Sequence, residues 1–382
     1  MECPRGVAAA SPRAAAPRRL ALIGAAALLT RPKWLRGTAM AEAGGVRPPA
    51  PMAEPTAVLV RNGKAAVPWI AKADLLKDYT GAYTTARTVD QSSVFEFAMH
   101  CRRLHETGTA VLARAAEEPP REGAGAPGAR AEAQRFLQEQ GPAGLGGLLK
   151  DEIKVALGFL GASDGCGDGS GDPQAQHADF QVTVLLTADT VGEHTPHGRG
   201  LDIFTYVQPL PRIESTVEVL ACEAERANPT IKDVQWVRDR QSLEERQRQV
   251  GVNEVLMFDS SGRVSEGLQT NFFAVSRSGE LLTAPDELVL AGTVRKVVLE
   301  VAAELGMPVR LEPPTVRDVE TWDSCFICST SRLVKPIRRL DAPDLKISRA
   351  FPTQGSQSHR IEEAVLQSFR AHAESLFPAN HG

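Results

Sequence analysis

Short apolar runs separated by turn residues recur through the chain and predict many short β-strands. The runs TAVLVRNG, SVFEF and FQVTVLLT predict strands in the first part of the chain. Further on, EVLMFD, NFFAV and ELLTA alternate with the turn sequences SSG and SRSG, which is typical of a β-meander. Because helical patterns stand between these strands, we expect a mixed α/β fold.

Two segments have the apolar spacing of a helix. In TVRKVVLEVAAELG (293–306), apolar residues recur every three or four positions, and Gly306 and Pro308 supply the glycine and proline that commonly end a helix. The stretch LGGLLKDEIKVALGFL has a similar spacing. Both segments are predicted to be helical.

Proline and low-complexity stretches suggest how the chain is divided. The two prolines in VQPLPRI predict a boundary between a small N-terminal domain at 56–207 and a larger domain at 208–382. A separate segment and linker at 1–55 precede them. Stretches rich in Ala, Gly, Pro and Glu predict flexible inserts near 117–144 and 161–178.

The first 45 residues differ in composition from the rest. They are rich in Ala and contain seven Arg or Lys against two acidic residues, a composition typical of an organellar transit peptide for a plastid or mitochondrion. The short apolar run LALIGAAALL keeps a secretory signal open as an alternative. If translation started at Met40, the protein would be cytoplasmic.

The overall composition narrows the possible partners. With 42% hydrophobic residues, 24% charged residues and a formal charge of −4, the chain resembles an ordinary globular enzyme or binding protein and has no basic excess for nucleic acid. Its longest apolar run is far shorter than the roughly 20 residues of a membrane-spanning helix. Cys325 and Cys328 form a CxxC in a strand pattern, where they would face opposite sides, so no metal site is predicted.

Glu266 is an unusual residue in the meander, because glutamate is depleted in strands and is rarely buried without a partner. Either it is a turn residue facing solvent, or a cation lies beside it. Three other features could carry chemistry: Lys232 in NPTIKDVQW, the LAGTVR turn (290–295) that opens the predicted helix, and STSR (329–332) at the end of a strand.

The order and spacing of these features resemble the class IV pyridoxal-phosphate enzymes, which include branched-chain aminotransferase, D-amino acid aminotransferase and aminodeoxychorismate lyase. An E-G-x-x-x-N-F pattern is matched by Glu266, Gly267, Asn271 and Phe272, and an H-x-x-R-L pattern by His100, Arg103 and Leu104. The resemblance covers roughly 57–342. It implies the two-domain D-amino acid aminotransferase-like fold (PLP fold type IV), in which the larger, meander-rich domain binds the cofactor.

The resemblance also implies roles for individual residues. Lys232 corresponds to the lysine that holds pyridoxal 5'-phosphate covalently and moves the substrate proton. Glu266 corresponds to the carboxylate that keeps the pyridine nitrogen protonated, so its missing cation would be the cofactor. The residues that correspond to phosphate-binding positions are Arg103, Thr293, Val294 and Thr330.

Two departures and three weaker correspondences complete the predicted site. The family usually has a hydroxyl side chain where this chain has Val294, and branched-chain members have a tyrosine where this chain has Val237. Tyr83, Arg87 and Arg199 lie in stretches that resemble the family's substrate-facing segments.

The resemblance therefore predicts a homodimeric aminotransferase acting on an amino acid and a 2-oxo acid. Aminodeoxychorismate lyase, which eliminates pyruvate, uses the same set of residues and stays an alternative. A non-catalytic protein that binds pyridoxal phosphate is the alternative of a different class. Neither the substrate nor its D or L configuration follows from the sequence.

Overall fold

The computed structural model of the protein describes residues 57–117, 128–163, 179–192 and 195–377. The predicted transit peptide and most of the second predicted insert lie outside the described residues. Among the described residues, no helix combines the length and the apolar character needed to cross a membrane.

Seven strands form the first sheet. They are β1 (Val58–Arg61), β2 (Lys64–Ala65), β3 (Ala82–Val89), β4 (Ser93–Phe95), β5 (Phe180–Thr187), β6 (Asp202–Pro209) and β16 (Ala373–Ser375). Their order is β16-β4-β3-β5-β6-β1-β2, and all neighbours are antiparallel. The end of the described chain thus returns to the sheet formed by its beginning.

Nine strands form the second sheet. They are β7 (Val217–Glu223), β8 (Glu254–Phe258), β9 (Val264–Gly267), β10 (Asn271–Ser276), β11 (Leu281–Thr283), β12 (Val309–Leu311), β13 (Trp322–Ser329), β14 (Leu333–Ala342) and β15 (Ile347–Ala350). Their order is β12-β11-β10-β13-β14-β7-β8-β9, with β15 beside β14. Because β9 also pairs with β10, the path from β10 through β13, β14, β7, β8 and β9 closes into a barrel. The predicted meander is confirmed: β8, β9 and β10 belong to this barrel, and β11 pairs with β10 beside it.

The helices are α1 (Lys72–Asp78), α2 (Phe97–Glu117), α3 (Ala129–Ser163), α4 (Gln235–Asp239), α5 (Gln241–Val250), α6 (Thr293–Glu304) and α7 (Gln357–Ser368). Helix α6 confirms the helix predicted from its apolar spacing. Val297, Val298 and Val301 are buried on one side of it, and Gly306 follows it with a φ of 66°, a conformation that glycine adopts without strain.

The flexible insert predicted near 117–144 is wrong for its second half, because α3 begins at Ala129. Ala133 and Leu137, four residues apart, are fully buried in the core that also contains Leu104 of α2. Alanine has the highest helix propensity, so an Ala-rich stretch with this spacing folds onto α2 instead of forming a loop. Gly141, with a φ of 58°, marks a kink in α3.

Apart from β16, the first sheet uses strands up to Pro209 and the second sheet uses strands from Val217 onward. The predicted boundary near 207 stays a prediction. Cys325 and Cys328 are buried in β13 on opposite sides of the strand, since they belong to different apolar cores. This placement agrees with a structural role for both thiols.

Candidate active site

A cavity of about 520 Å³ lies between the two sheets. Its walls include Gln181 and Gln208 of the first sheet and Glu266 of the second. Six of the residues predicted from the sequence line it together: Tyr83, Arg103, Lys232, Glu266, Thr293 and Thr330.

Lys232 lies just before α4 and is fixed through its backbone. Its carbonyl accepts a hydrogen bond from the Tyr83 N–H at 3.1 Å, and its own N–H donates to Thr107 Oγ1 at 3.4 Å. Its Nζ stands 4.7 Å from the centre of the Tyr83 ring. Tyr83 is thus both a backbone partner and the surface on which the amine rests.

The surroundings of Lys232 favour its uncharged form. Burial is the largest cause that lowers the pKa of its amine well below the ordinary value, and the positive charges of Arg103 and Arg226 add to it, while Glu266 opposes. An amine that is uncharged near neutral pH can act as a nucleophile and as a proton acceptor.

Glu266 ends β9 and is only 3% exposed, so the reading of this residue as a solvent-facing turn residue is wrong. Its Oε2 accepts the Leu290 N–H at 3.1 Å, and its Oε1 accepts from Arg226 Nη1 at 3.3 Å. Burial raises the pKa of Glu266, and the Arg226 charge opposes this shift. The sequence analysis did not anticipate Arg226 as a cationic partner, while the cofactor nitrogen remains a predicted one.

The E-G-x-x-x-N-F motif fixes the loop that precedes α6. Asn271 Nδ2 donates to the Leu290 carbonyl at 2.8 Å, so this motif holds both polar groups of the Leu290 backbone. A Cβ atom on Gly267 would lie 2.3 Å from Thr270 Oγ1, and one on Gly292 would lie 2.2 Å from Asn271 Oδ1. A side chain at either position would clash with these oxygen atoms, so both positions require glycine.

The start of α6 forms one wall of the cavity. Gly292 is its N-cap residue and has no side chain to accept the N–H groups of the first turn, which are therefore available to an anion. Thr293 Oγ1 lies 2.9 Å from Thr330 Oγ1, so two hydroxyls flank the same point. The Val294 side chain packs into the apolar core instead, and only its backbone is suited to contact an anion.

Arg103 lies beside this helix start. It donates to Thr84 Oγ1 at 3.0 Å and to the Ala291 carbonyl at 3.4 Å. Burial lowers the pKa of its guanidinium to about 10, and within the described parts of the chain it forms no ion pair with a carboxylate. A buried cation of this kind is suited to a phosphate group.

The H-x-x-R-L spacing has a direct structural explanation. His100 Nδ1 lies 2.8 Å from Thr84 Oγ1 and 3.2 Å from Arg103 Nη2, because residues three apart share one face of α2. Burial lowers the pKa of His100 well below its usual value, so it orients Arg103 without repelling it. Leu104 anchors the same turn in the core.

Three predicted or discussed positions do not reach the cavity. Arg87 lies 3.8 Å from Asp179 and stacks over Phe369, and Arg199 lies over Phe136. Val237 packs in the core beside α1. The structure thus does not bring Arg87 or Arg199 to Lys232.

The polar residues lining the cavity that the sequence analysis missed include Lys72, Gln181, Arg226 and Arg240. None of them belongs to a sequence motif or to a helical or strand-like repeat of apolar residues. Their shared position follows only from the packing of the two sheets.

Comparisons with known proteins agree with this architecture. Residues 168–340 match the family model described as Amino-transferase class IV. A putative branched-chain-amino-acid aminotransferase of Methanocaldococcus jannaschii is 32% identical over 127 residues, which are 33% of this chain and 43% of that protein. The enzyme of Pseudomonas aeruginosa named branched-chain-amino-acid aminotransferase is 30% identical over 124 residues, 32% of this chain and 40% of that protein. The chain therefore matches less than half the length of these curated relatives.

Solved structures resemble a larger share of the chain than the sequence matches do. The branched-chain aminotransferase of Thermoproteus uzoniensis with norvaline has a TM-score of 0.58 at 16% identity, covering 84% of this chain and 99% of that one. The PLP form of the Thermobaculum terrenum enzyme has a TM-score of 0.57 at 16% identity, covering 85% and 99%. At such identities the likeness shows the fold, and the predicted fold type IV is confirmed. The chain thus resembles the class IV aminotransferases in the sequence of residues 168–340 and in its fold.

Proposed function

We propose that this protein is a pyridoxal-phosphate-dependent aminotransferase that transfers an amino group between an amino acid and a 2-oxo acid. The observation that carries the proposal is that one cavity brings together Lys232, Glu266 and the cluster formed by Arg103, Thr293 and Thr330. The match of residues 168–340 to the class IV aminotransferase model supports the same conclusion.

The residues present suit the three functional parts of pyridoxal phosphate. Arg103, the two threonines and the start of α6 offer a guanidinium, hydroxyls and backbone N–H groups to the phosphate. Glu266 offers a buried carboxylate to the pyridine nitrogen, and Lys232 offers an amine to the aldehyde. When bound, the cofactor supplies an electron sink for negative charge at the substrate α-carbon.

Each of these side chains has a defined task in transamination. Lys232 Nζ would hold the cofactor before substrate arrives and would then carry the proton from the substrate α-carbon to the former aldehyde carbon of the cofactor, for which its lowered pKa is suited. Glu266 keeps a proton at the pyridine nitrogen by its negative charge. Arg226, at 3.3 Å, holds the Glu266 carboxylate in place.

A homodimer and an organellar location belong to the proposal as predictions. Sedimentation of the purified protein tests the first. Expression of the full chain and of a chain that starts at Met40, each fused to a fluorescent protein, tests the second.

The central experiment combines chemical trapping with an activity screen. Borohydride treatment of the pyridoxal-phosphate-loaded protein should attach the pyridoxyl group to Lys232, as located by peptide mapping. Lys232→Ala should lose this attachment and at least about a hundredfold in turnover, whereas Lys77→Ala, at an exposed lysine, should retain both.

The amino donor screen should include several oxo acids and aminodeoxychorismate. Transfer of the amino group supports the proposal, and pyruvate release from aminodeoxychorismate without transfer would identify a lyase instead. Covalent binding without either reaction would identify a non-catalytic binding protein. Attachment to a different lysine would overturn the assignment of Lys232.

A further inference from the structure

Lys72 is a cation in the cavity without an acidic partner. It begins α1 and lines the cavity, where burial is the main cause that lowers its pKa. Its Nζ donates to Gln181 Oε1 at 2.5 Å, and none of the described carboxylates forms an ion pair with it. Lys72 is partly buried and its side-chain partner is a neutral amide, so an anion beside its ammonium would offset the cost of removing that charge from water.

The position of this ammonium is set by Gln181, which is 6% exposed. Gln181 Oε1 also accepts from Gln208 Nε2 at 3.0 Å, and Gln181 Nε2 donates to Ser331 Oγ at 2.6 Å. Because an ammonium can only donate, the amide oxygen must face Lys72. Lys72 uses one donor on Gln181, so two further N–H donors of its ammonium are available to a ligand.

The other cations of the cavity wall have different roles or partners. Arg226 pairs with Glu266, Arg332 with Glu254 and Arg240 with Glu244. Arg103 and Lys232 are placed at the proposed phosphate and aldehyde positions. Arg212 lines the wall but is exposed. Among the partly or fully buried cations that line the cavity in the described part of the chain, Lys72 is therefore the one that neither a carboxylate nor the proposed cofactor neutralises.

Every amino acid and 2-oxo acid carries a carboxylate next to the reacting carbon, and neither Arg87 nor Arg199 reaches the cavity to bind it. We propose that Lys72, held in place by Gln181, binds the α-carboxylate of both substrates. Arg240 lies near enough for its positive charge to lower the pKa of Lys72, so the carboxylate enters a region with two cations beside the Tyr83 ring on which Lys232 rests. This inference rests on the proposed function for the identity of the ligand.

The test uses propionate, which has the carboxylate but no amino or oxo group, titrated calorimetrically into the pyridoxal-phosphate-loaded protein. Lys72→Met keeps the length of the side chain and removes its charge, and it should weaken propionate binding by about tenfold or more, since a hydrogen bond to a charged group contributes that much. Lys72→Arg should recover part of the binding. Lys77→Met, on the exposed side of the same helix, is the matched control and should bind propionate like the wild type.

In turnover, Lys72→Met should raise the KM for amino acid and oxo acid with a smaller change in kcat, because the carboxylate is bound in both the ground and transition states. Unchanged propionate binding and KM in Lys72→Met would overturn the inference while leaving the aminotransferase proposal intact. If propionate binding depends on Lys72 but the protein transfers no amino group, the carboxylate site is supported and the aminotransferase proposal is rejected. A wild-type protein that does not bind propionate would also overturn the inference.

Discussion

Arg226 Nη1 lies 3.3 Å from Glu266 Oε1, with the two side chains only 6% and 4% exposed. Arg226 also donates to the Ile231 carbonyl and stacks over Trp236 at 5.0 Å. It thus connects the carboxylate to the segment that carries Lys232. Burial raises the pKa of Glu266, and the charge of Arg226 opposes this shift by favouring the ionised carboxylate.

Removing Arg226 should destabilise the protein strongly, because Glu266 is then buried without a charged partner. We expect Arg226→Met to lower the free energy of unfolding by about 3–5 kcal/mol, measured by urea denaturation of the cofactor-free protein. The double variant Arg226→Met/Glu266→Gln should recover much of this loss. The control Arg360→Met, at an exposed arginine of α7, should change the free energy of unfolding little. A double variant as unstable as Arg226→Met would contradict the ion-pair explanation.

Glu266→Gln keeps the size of the side chain and removes its charge. Bound pyridoxal phosphate should be retained, because the phosphate contacts proposed for Arg103, Thr330 and the start of α6 do not involve Glu266. Each pKa unit lost at the pyridine nitrogen corresponds to about 1.4 kcal/mol, so a loss of two units would slow proton abstraction by about a hundredfold. Single-turnover kinetics with bound cofactor quantified in parallel measures this. If Glu266→Gln keeps its full cofactor content and reacts at the wild-type rate, Glu266 has no role in the mechanism. The control is Glu287→Gln, at an exposed position.

Gly292→Ala should weaken cofactor binding through its phosphate. The added Cβ would stand 2.2 Å from Asn271 Oδ1, and relief of such overpacking typically costs about 1–3 kcal/mol. We expect the Kd for pyridoxal phosphate to rise by about tenfold, and the Kd for pyridoxal, which lacks the phosphate, to rise less. Gly147→Ala, which has open space around it, should bind both as the wild type does. An equal loss for both ligands would indicate damage beyond the phosphate position.

Glu152 should make stability depend on pH. Burial raises the pKa of its carboxyl to about 7, with the Gly63 N–H and Arg199 opposing, while in the unfolded chain it titrates near its ordinary value of about 4.3. Between these values the folded state binds more protons, so stability falls as pH rises through this window and the cost is complete above pH 7.

The difference in free energy of unfolding between Glu152→Gln and the wild type should therefore shift in favour of the variant between pH 5 and pH 8. Urea midpoints at both pH values measure the difference, and Glu139→Gln, at an exposed position of the same helix, is the control. A Glu152→Gln effect that does not change with pH would contradict the raised pKa.

The local features of the site were predictable because each depends on residues that are close in sequence. Glu266, Gly267 and Asn271 belong to one hairpin, in which Asn271 pairs directly with Glu266, so a single short motif contains both the carboxylate and the side chain that fixes the next loop. Helix α6 was predictable from the spacing of its valines and from the glycine that follows it in the sequence. His100 and Arg103 stand one helical turn apart, which the H-x-x-R-L spacing already contains.

The sequence was misleading where packing outweighs composition. The stretch 129–144 has the Ala and Gly content of a loop, but Ala133 and Leu137 pack against α2 and make it helical. Arg87 stands in a segment that resembles a substrate-facing one, yet its guanidinium is bound by Asp179 and Phe369. In both cases contacts with residues distant in sequence determine the outcome.

The sequence by itself indicated most of the strands and helices, the residues that correspond to the lysine, glutamate and phosphate-binding positions of the class IV enzymes, and the resemblance to those enzymes. Only the tertiary structure decided which other charges face the cavity. Arg226 is 40 residues from Glu266, and Lys72 is 109 residues from Gln181, so no local pattern relates the partners. A charged side chain has no periodicity that shows whether it points to solvent or inward, and that direction is set when the two sheets pack against each other.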